Sequence, residues 1–128
     1  MSYLAEIKTY LTSTIPATCT STNTFINFMP ASPASSICLY GNAGQGPLYT
    51  TNRDAIARPG LQVRVRDPVP ETAWTTIKAV ETALKAVINS TLSGTVYLGI
   101  IPSGSASVLG WNNNSITLTQ NYDVMRSE

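Results

Sequence analysis

Residues 61–66 alternate strictly between apolar and polar side chains, and this alternation constrains the fold more than any other segment. It predicts a β-strand with one apolar face and one polar face, formed by Leu61, Val63 and Val65 and by Gln62, Arg64 and Arg66 respectively. The apolar face is typical of a strand that packs on a core. The polar face is left for water or for a neighbouring protein.

A long amphipathic helix is predicted directly after this strand, over about residues 70–89. Pro70 suits the first position of a helix, and the carboxylate of Glu71 is favourable near the positive N-terminal end. The apolar stripe at helical spacing consists of Trp74, Ile77, Val80, Leu84, Val87 and Ile88. A tryptophan can also anchor an interface, but the position of Trp74 on this stripe favours the core.

The remaining elements predict an α+β fold in a single domain, residues 1–128. An N-terminal helix is expected from Ser2 to about Thr14, ended by Pro16. Strands are expected at about 24–29, 36–40, 95–101, 106–111 and 115–125. The resulting order is α-β-β-β-α-β-β-β, a mostly antiparallel sheet packed by the long helix and the N-terminal helix.

Residues 41–60 are the least regular part of the sequence. They contain Gly41, Gly44, Gly46 and Pro47 and end in Arg58-Pro59-Gly60. We expect a long connection with at most a short edge strand at 48–52, and ordered connections of this length are usually functional. A turn is favoured over a phosphate-binding loop, because the Lys-Ser/Thr pair and a following helix are missing.

The composition argues against an enzyme and against metal or cofactor binding. The chain has no histidine, which is the commonest general base and metal ligand. The acidic residues show no metal-binding spacing, and Cys19 and Cys38 are expected to be free, buried thiols. With a net charge of +1, DNA binding is not expected as the main function. DNA could still pass through a channel lined by the protein.

The N-terminal sequence MSYLAEIKTYL has charges inside its apolar run, so we expect neither a signal peptide nor a membrane span. Only 12% of the residues are charged, about half the usual share. A charge-poor surface suits contact with other proteins, because the centres of interfaces are depleted of charge.

A candidate interface is predicted around the irregular segment and the strand that follows it. Four arginines cluster there, and they could contact nucleic-acid phosphates, form salt bridges with a neighbouring subunit, or lie on a solvated face. Trp111 is expected at a hairpin tip, where it could serve as an interface anchor. The full set of candidate residues is Gln45, Tyr49, Arg53, Arg58, Arg64, Arg66 and Trp111.

Several short motifs, in order along nearly the whole chain, resemble the minor capsid and tail-terminator proteins of long-tailed bacteriophages. The most specific is Arg58-Pro-Gly-Leu-Gln-Val-Arg-Val-Arg66. The others are Ile37-Cys-Leu-Tyr40, the glycine-rich segment after it, the helix with Ala73 and Leu84, Tyr97-Leu-Gly-Ile100 and Tyr122-Asp-Val-Met-Arg126. The segment after Tyr40 departs from this pattern, since it lacks the acidic and aromatic residues found in many members.

The resemblance implies a non-enzymatic virion protein of the tail or neck, assembled in the host cytoplasm. Such a subunit forms a closed ring, expected to be a hexamer, on the last ring of the tail tube protein. The ring provides the joining surface for a head-completion or connector protein, and DNA passes through its lumen. Each subunit of a closed ring needs two different contact patches, and we expect residues 42–58 to form one. The alternatives are another head–tail connector protein, or a small protein- or ligand-binding module.

Overall fold

The computed structural model describes residues 2–31, 33–49, 55–112 and 114–127. The described residues form two helices and seven strands, which confirms the predicted α+β class. The helices are α1 (Tyr3–Thr14) and α2 (Pro70–Lys85). The strands are β1 (Thr24–Ile26), β2 (Ser36–Tyr49), β3 (Ala55–Asp67), β4 (Ile88–Leu92), β5 (Thr95–Pro102), β6 (Ser107–Asn112) and β7 (Ser115–Ser127).

The strands form one sheet in the order β1-β2-β3-β7-β5-β4, and β6 also pairs with β7. Only the pairing of β1 with β2 is parallel, so the sheet is mostly antiparallel, as predicted. The long strand β7 lies along β3 on one side. On its other side β7 pairs with β5 near its C-terminal end and with β6 near its N-terminal end. The β2–β3 hairpin and β6 therefore lie on opposite sides of β7.

Both helices contribute to one core on the same face of the sheet. The predicted apolar face of β3 is fully buried there, and so is the alternating set of β7, Ile116, Leu118, Gln120, Tyr122 and Val124. From the helices, the core receives Leu4, Ile7 and Leu11 of α1 and Ala73, Ile77, Val80, Ala83 and Leu84 of α2. We call the opposite face of the sheet the back face. It carries the polar residues of β3.

The prediction of a long connection over residues 41–60 is wrong. β2 and β3 pair antiparallel through this region, from Ser36 opposite Arg66 to Tyr49 opposite Ala55. Two register shifts, between Asn42 and Gln45 and between Gln45 and Leu48, let the strand pass its glycines and proline. Glycine and proline were turn signals in the sequence, but bulges at the edge of a sheet accommodate both residues.

The predicted helix over residues 70–89 ends earlier, at Lys85, and an unpredicted strand, β4, follows it. Val87 continues the apolar stripe because it is buried in the same core, not because it is helical. Asn89 has a left-handed backbone conformation, with φ of 47°, which is incompatible with continuing the helix through this residue. Neither of the described helices has the length and apolar character needed to cross a membrane.

Candidate functional site

Arg66 is held by the chain segment that crosses the back face. Its guanidinium donates hydrogen bonds of 2.5–3.3 Å to the carbonyl oxygens of Pro30, Pro33 and Ala34 and to Oγ of Ser36. A guanidinium has five N–H donors and can satisfy several backbone carbonyls at once. Arg66 therefore fixes this segment over the edge of the sheet, a role that sequence reasoning missed.

Arg64 lies two positions before Arg66 on the same face of β3, and different contacts hold its side chain. The guanidinium carbon lies 4.5 Å from the centre of the Tyr40 ring, a cation–π contact. Its Nε donates a 2.8 Å hydrogen bond to Oε1 of Gln62. Burial raises the pKa of the Tyr40 hydroxyl, so this ring remains neutral under the charge it supports.

The two arginines share a cleft of about 330 Å³, which we call the back-face cleft. Arg64 and Arg66 lie beside each other along β3, with the crossing segment on one side and β6 and β7 on the other. The cleft is lined by Met29, Ala31, Ala34, Tyr40, Arg64, Arg66, Leu109, Ser115 and Thr117. It combines two guanidinium groups with hydroxyls and apolar walls, a surface suited to an anionic group on an apolar stem.

The other candidate residues of the irregular segment lie on the β2–β3 hairpin, away from this cleft. Gln45 pairs with Arg58 and Tyr49 with Ala55 in the strand register. Nε of Arg58 donates a 2.7 Å hydrogen bond to the carbonyl oxygen of Gly46 across the hairpin. Arg53 lies outside the described residues. The structure therefore divides the predicted arginine cluster between the hairpin and the back-face cleft.

Trp111 is exposed on β6, with 61% of its surface accessible, and its role as an interface anchor stays a prediction. Trp74, predicted to lie in the core, is also exposed, at 42%. It follows the buried Ala73 in α2 and borders a groove formed with Gly104 and Ser105. Trp74 is at the margin of the apolar stripe, and its exposure depends on how closely the 103–106 turn approaches α2.

Exposed apolar side chains are most frequent along β5 and β6. Val96, Ile101, Val108, Leu109 and Trp111 belong to these two strands, and the other large examples are Phe28, Val69, Trp74 and Ile88. β6 contains no charged residue. Exposed apolar side chains on an uncharged strand are candidates for contacts with other proteins.

The cysteines are free and buried, as the sequence predicts. Burial raises the pKa of the Cys19 thiol to about 11 and raises that of Cys38 as well. A thiol in this state is a poor nucleophile at neutral pH. Among residues 2–31, 33–49, 55–112 and 114–127, no three potential ligands are grouped so as to hold a metal ion.

Comparison with known proteins gives the family. The model of a family described as bacteriophage tail terminator protein matches residues 4–120, most of the chain. The chain belongs to the bacteriophage tail terminator family. As a tail terminator family member, it is a structural protein of a phage-type virion, and the resemblance inferred from its motifs is confirmed.

Solved structures share the fold of this tail terminator family member. A chain from the virion of a native gene transfer agent particle aligns with a TM-score of 0.73 and 15% sequence identity, covering 99% of this chain and 96% of the other. A second solved chain aligns with a TM-score of 0.55 and 16% identity, covering 95% and 89%. At such identities the likeness concerns the fold. Comparison with curated proteins gave no match.

Proposed function

We propose that this protein forms a closed ring of identical subunits, expected to be six, that caps the tail tube and presents the docking surface for the head. The observation that carries the proposal is the tail terminator family match over residues 4–120. A ring at this position would stop growth of the tube, join the head-completion or connector protein, and leave a lumen for DNA. Its place in the virion would be the neck.

The distribution of exposed features supports a ring. A head-to-tail interface joins two different patches of the subunit surface. One candidate patch is the uncharged strand β6, with Val108, Leu109 and Trp111 exposed. The other is the far end of the β2–β3 hairpin, and this hairpin and β6 lie on opposite sides of β7. Patches on opposite sides allow each subunit to contact two neighbours at once.

We infer that the protein has no catalytic role. The raised pKa values of both thiols support this inference, since they leave each cysteine protonated in the neutral range. Among the described residues, the strongly buried carboxylates are Glu6 and Asp67, and both are engaged by hydrogen bonds within the fold. These groups stabilise the structure and are not available to a substrate.

The capping function can be tested with the tail tube protein of the same virion. Purified tube protein is allowed to polymerise with and without this chain, and tube lengths are measured by electron microscopy. We expect tubes to stop growing once the chain is added and to carry extra density at one end. Tubes that elongate equally in its presence would contradict the proposal. Binding to the connector without any effect on tubes would instead identify a connector protein.

A further inference from the structure

The back-face cleft contains two cations without an acidic partner. Among the described residues, ion pairs join Lys78 and Lys85 to Glu81 and Arg126 to Glu6. Arg64 and Arg66 form none. Their hydrogen-bond acceptors are backbone carbonyl oxygens, a hydroxyl and a side-chain amide, which satisfy N–H groups but carry no negative charge.

The cleft also presents Arg64 in a fixed orientation. Stacking on Tyr40 sets the plane of the guanidinium, and the hydrogen bond from Nε to Gln62 sets its rotation. No described carboxylate or backbone carbonyl accepts a hydrogen bond from its two terminal nitrogens, and the Tyr40 hydroxyl is the polar group that interacts with the guanidinium besides Gln62. A planar guanidinium with free terminal N–H groups matches the two oxygens of a carboxylate, and little side-chain entropy is lost when such a pair forms.

Hydroxyl-bearing side chains also surround Arg64. Thr119 is paired with Arg64 across the β3–β7 ladder, but its Oγ1 is buried and it does not line the cleft. Ser115 and Thr117 contribute hydroxyls to the lining, while Met29 and Leu109 contribute apolar surface. Hydroxyl donors beside a guanidinium, flanked by apolar walls, fit an acid group on a short aliphatic stem.

We propose that the back-face cleft binds the carboxylate side chain, aspartate or glutamate, of a protein partner in the virion. Charge complementarity carries this assignment, since half-buried positive charge without a counter-ion is stabilised by an incoming anion. The proposal extends the function proposed above by stating what chemistry a neighbour must present to this face.

The cleft fits a protein acid better than a nucleic acid. It is a single recess of about 330 Å³ and not a groove that follows a chain of phosphates. Among the described residues of its lining, Tyr40 is the one aromatic ring, and it already supports Arg64 and is not free to stack on a base. A net charge of +1 for the whole chain provides little attraction for a polyanion.

The test uses a small probe, so that its outcome does not depend on ring formation. N-acetylglutamate is titrated into the ¹⁵N-labelled protein, and the Nε–Hε signals of the arginines are followed by NMR. We expect a saturable shift of the Arg64 signal, with N-acetylglutamine at the same concentrations causing none. Arg64→Gln should weaken binding of the probe by about tenfold or more, the usual effect of losing a charge-assisted hydrogen bond.

Arg58→Gln is the matched control, because Arg58 lies on the same strand but does not line the cleft. It should leave the titration unchanged. The proposal is overturned if the acid and the amide give the same shifts, or if Arg64→Gln and Arg58→Gln weaken binding equally. Saturable binding of a single-stranded oligonucleotide or inorganic phosphate in preference to N-acetylglutamate would also overturn it, in favour of a phosphate site. If the Arg64→Gln variant still forms rings, the capping function proposed above stands independently of this site.

Discussion

The carboxylate of Glu6 in α1 accepts a 2.7 Å hydrogen bond from the hydroxyl of Tyr97 in β5, 91 positions away in the sequence. Glu6 is only 2% exposed. It also accepts a 2.7 Å hydrogen bond from Thr95 and lies 3.6 Å from the guanidinium of Arg126 in β7. This buried network connects the N-terminal helix to two strands of the sheet, so it should contribute to the stability of the whole fold.

Replacing Glu6 by glutamine should therefore destabilise the protein by about 2–4 kcal/mol. The substitution removes a charge-assisted acceptor and leaves Arg126 without its acidic partner. Tyr97→Phe should cost less, about 1–2 kcal/mol, because it removes one hydrogen bond. Urea denaturation followed by circular dichroism measures both. Glu71→Gln, at the exposed start of α2, is the control and should change stability by less than about 1 kcal/mol. Equal stabilities for the Glu6 and Glu71 variants would show that the network contributes nothing.

The sequence predicted the strands and helices whose side chains alternate between core and solvent. The apolar face of β3 was identified correctly because a period of two reports directly which side chains pack on the helices. The class of the fold followed from these strands and from the stripe of α2. The family resemblance followed from the same segments, since they carry its most specific motifs.

The features that the sequence predicted wrongly or did not reveal share one physical cause. Each of them is set by contacts between distant parts of the chain. Nothing local shows that Gly44 and Pro47 lie in a strand, because the partner strand β3 imposes that conformation. The hydrogen bonds that Arg66 donates to the segment 30–36 require this segment to cross the back face. The exposure of Trp74 depends on how the 103–106 turn lies against α2. A single sequence carries no direct signal for these placements.

The hairpin bulge gives a second prediction, because its geometry requires a glycine at one position. Gly44 has φ of 61°, and a Cβ there would contact the backbone of Arg58, Pro59 and Gly60. Gly44→Ala should destabilise the protein by about 1–2 kcal/mol or more and should speed hydrogen exchange in the far half of the hairpin. If the hairpin forms one ring contact, ring formation should weaken as well.

Gly46→Ala provides the matched control for the bulge. Gly46 lies two residues away in the same strand, and a Cβ there would meet no atom of the described part of the chain within 4 Å. This variant should retain the wild-type free energy of unfolding and the wild-type exchange rates. Similar losses in both variants would mean that the bulge geometry is not what requires Gly44.

Trp111 allows assembly to be separated from folding. Because its side chain is largely exposed, Trp111→Ala should change the free energy of unfolding by no more than about 0.5 kcal/mol. If β6 forms a ring contact, the same substitution should reduce ring formation strongly, since buried interface tryptophans commonly contribute about 2 kcal/mol or more. Trp111→Phe should restore much of the assembly. Light scattering after size exclusion measures assembly, and unchanged rings in Trp111→Ala would exclude this residue from the interface.

The buried thiol of Cys19 predicts a loss of stability at alkaline pH. Burial raises its pKa from 9.0 to about 11 in the folded protein, so the folded state binds the thiol proton more tightly than the unfolded state. The contribution of this proton to the free energy of unfolding is complete below pH 9.0 and declines as the pH rises towards about 11. Tyr97 and Tyr122 have pKa values raised by burial and add to the decline in the same direction.

Cys19→Ala should make the free energy of unfolding less dependent on pH in this alkaline range. The measurement is a series of urea denaturations at increasing pH for both proteins. Cys19→Ala will also lower stability at neutral pH, because it removes a buried side chain, so the slopes are compared and not the absolute values. An identical slope in the two proteins would show that the thiol does not titrate differently on unfolding.

The most direct test of the central claim is the state of the purified protein, observed by negative-stain electron microscopy and by light scattering. We expect closed rings with a central opening, of a mass close to six subunits, either alone or on the ends of tail tubes. A protein that stays monomeric in solution, and remains so when mixed with tail tubes and heads of its virion, would contradict it.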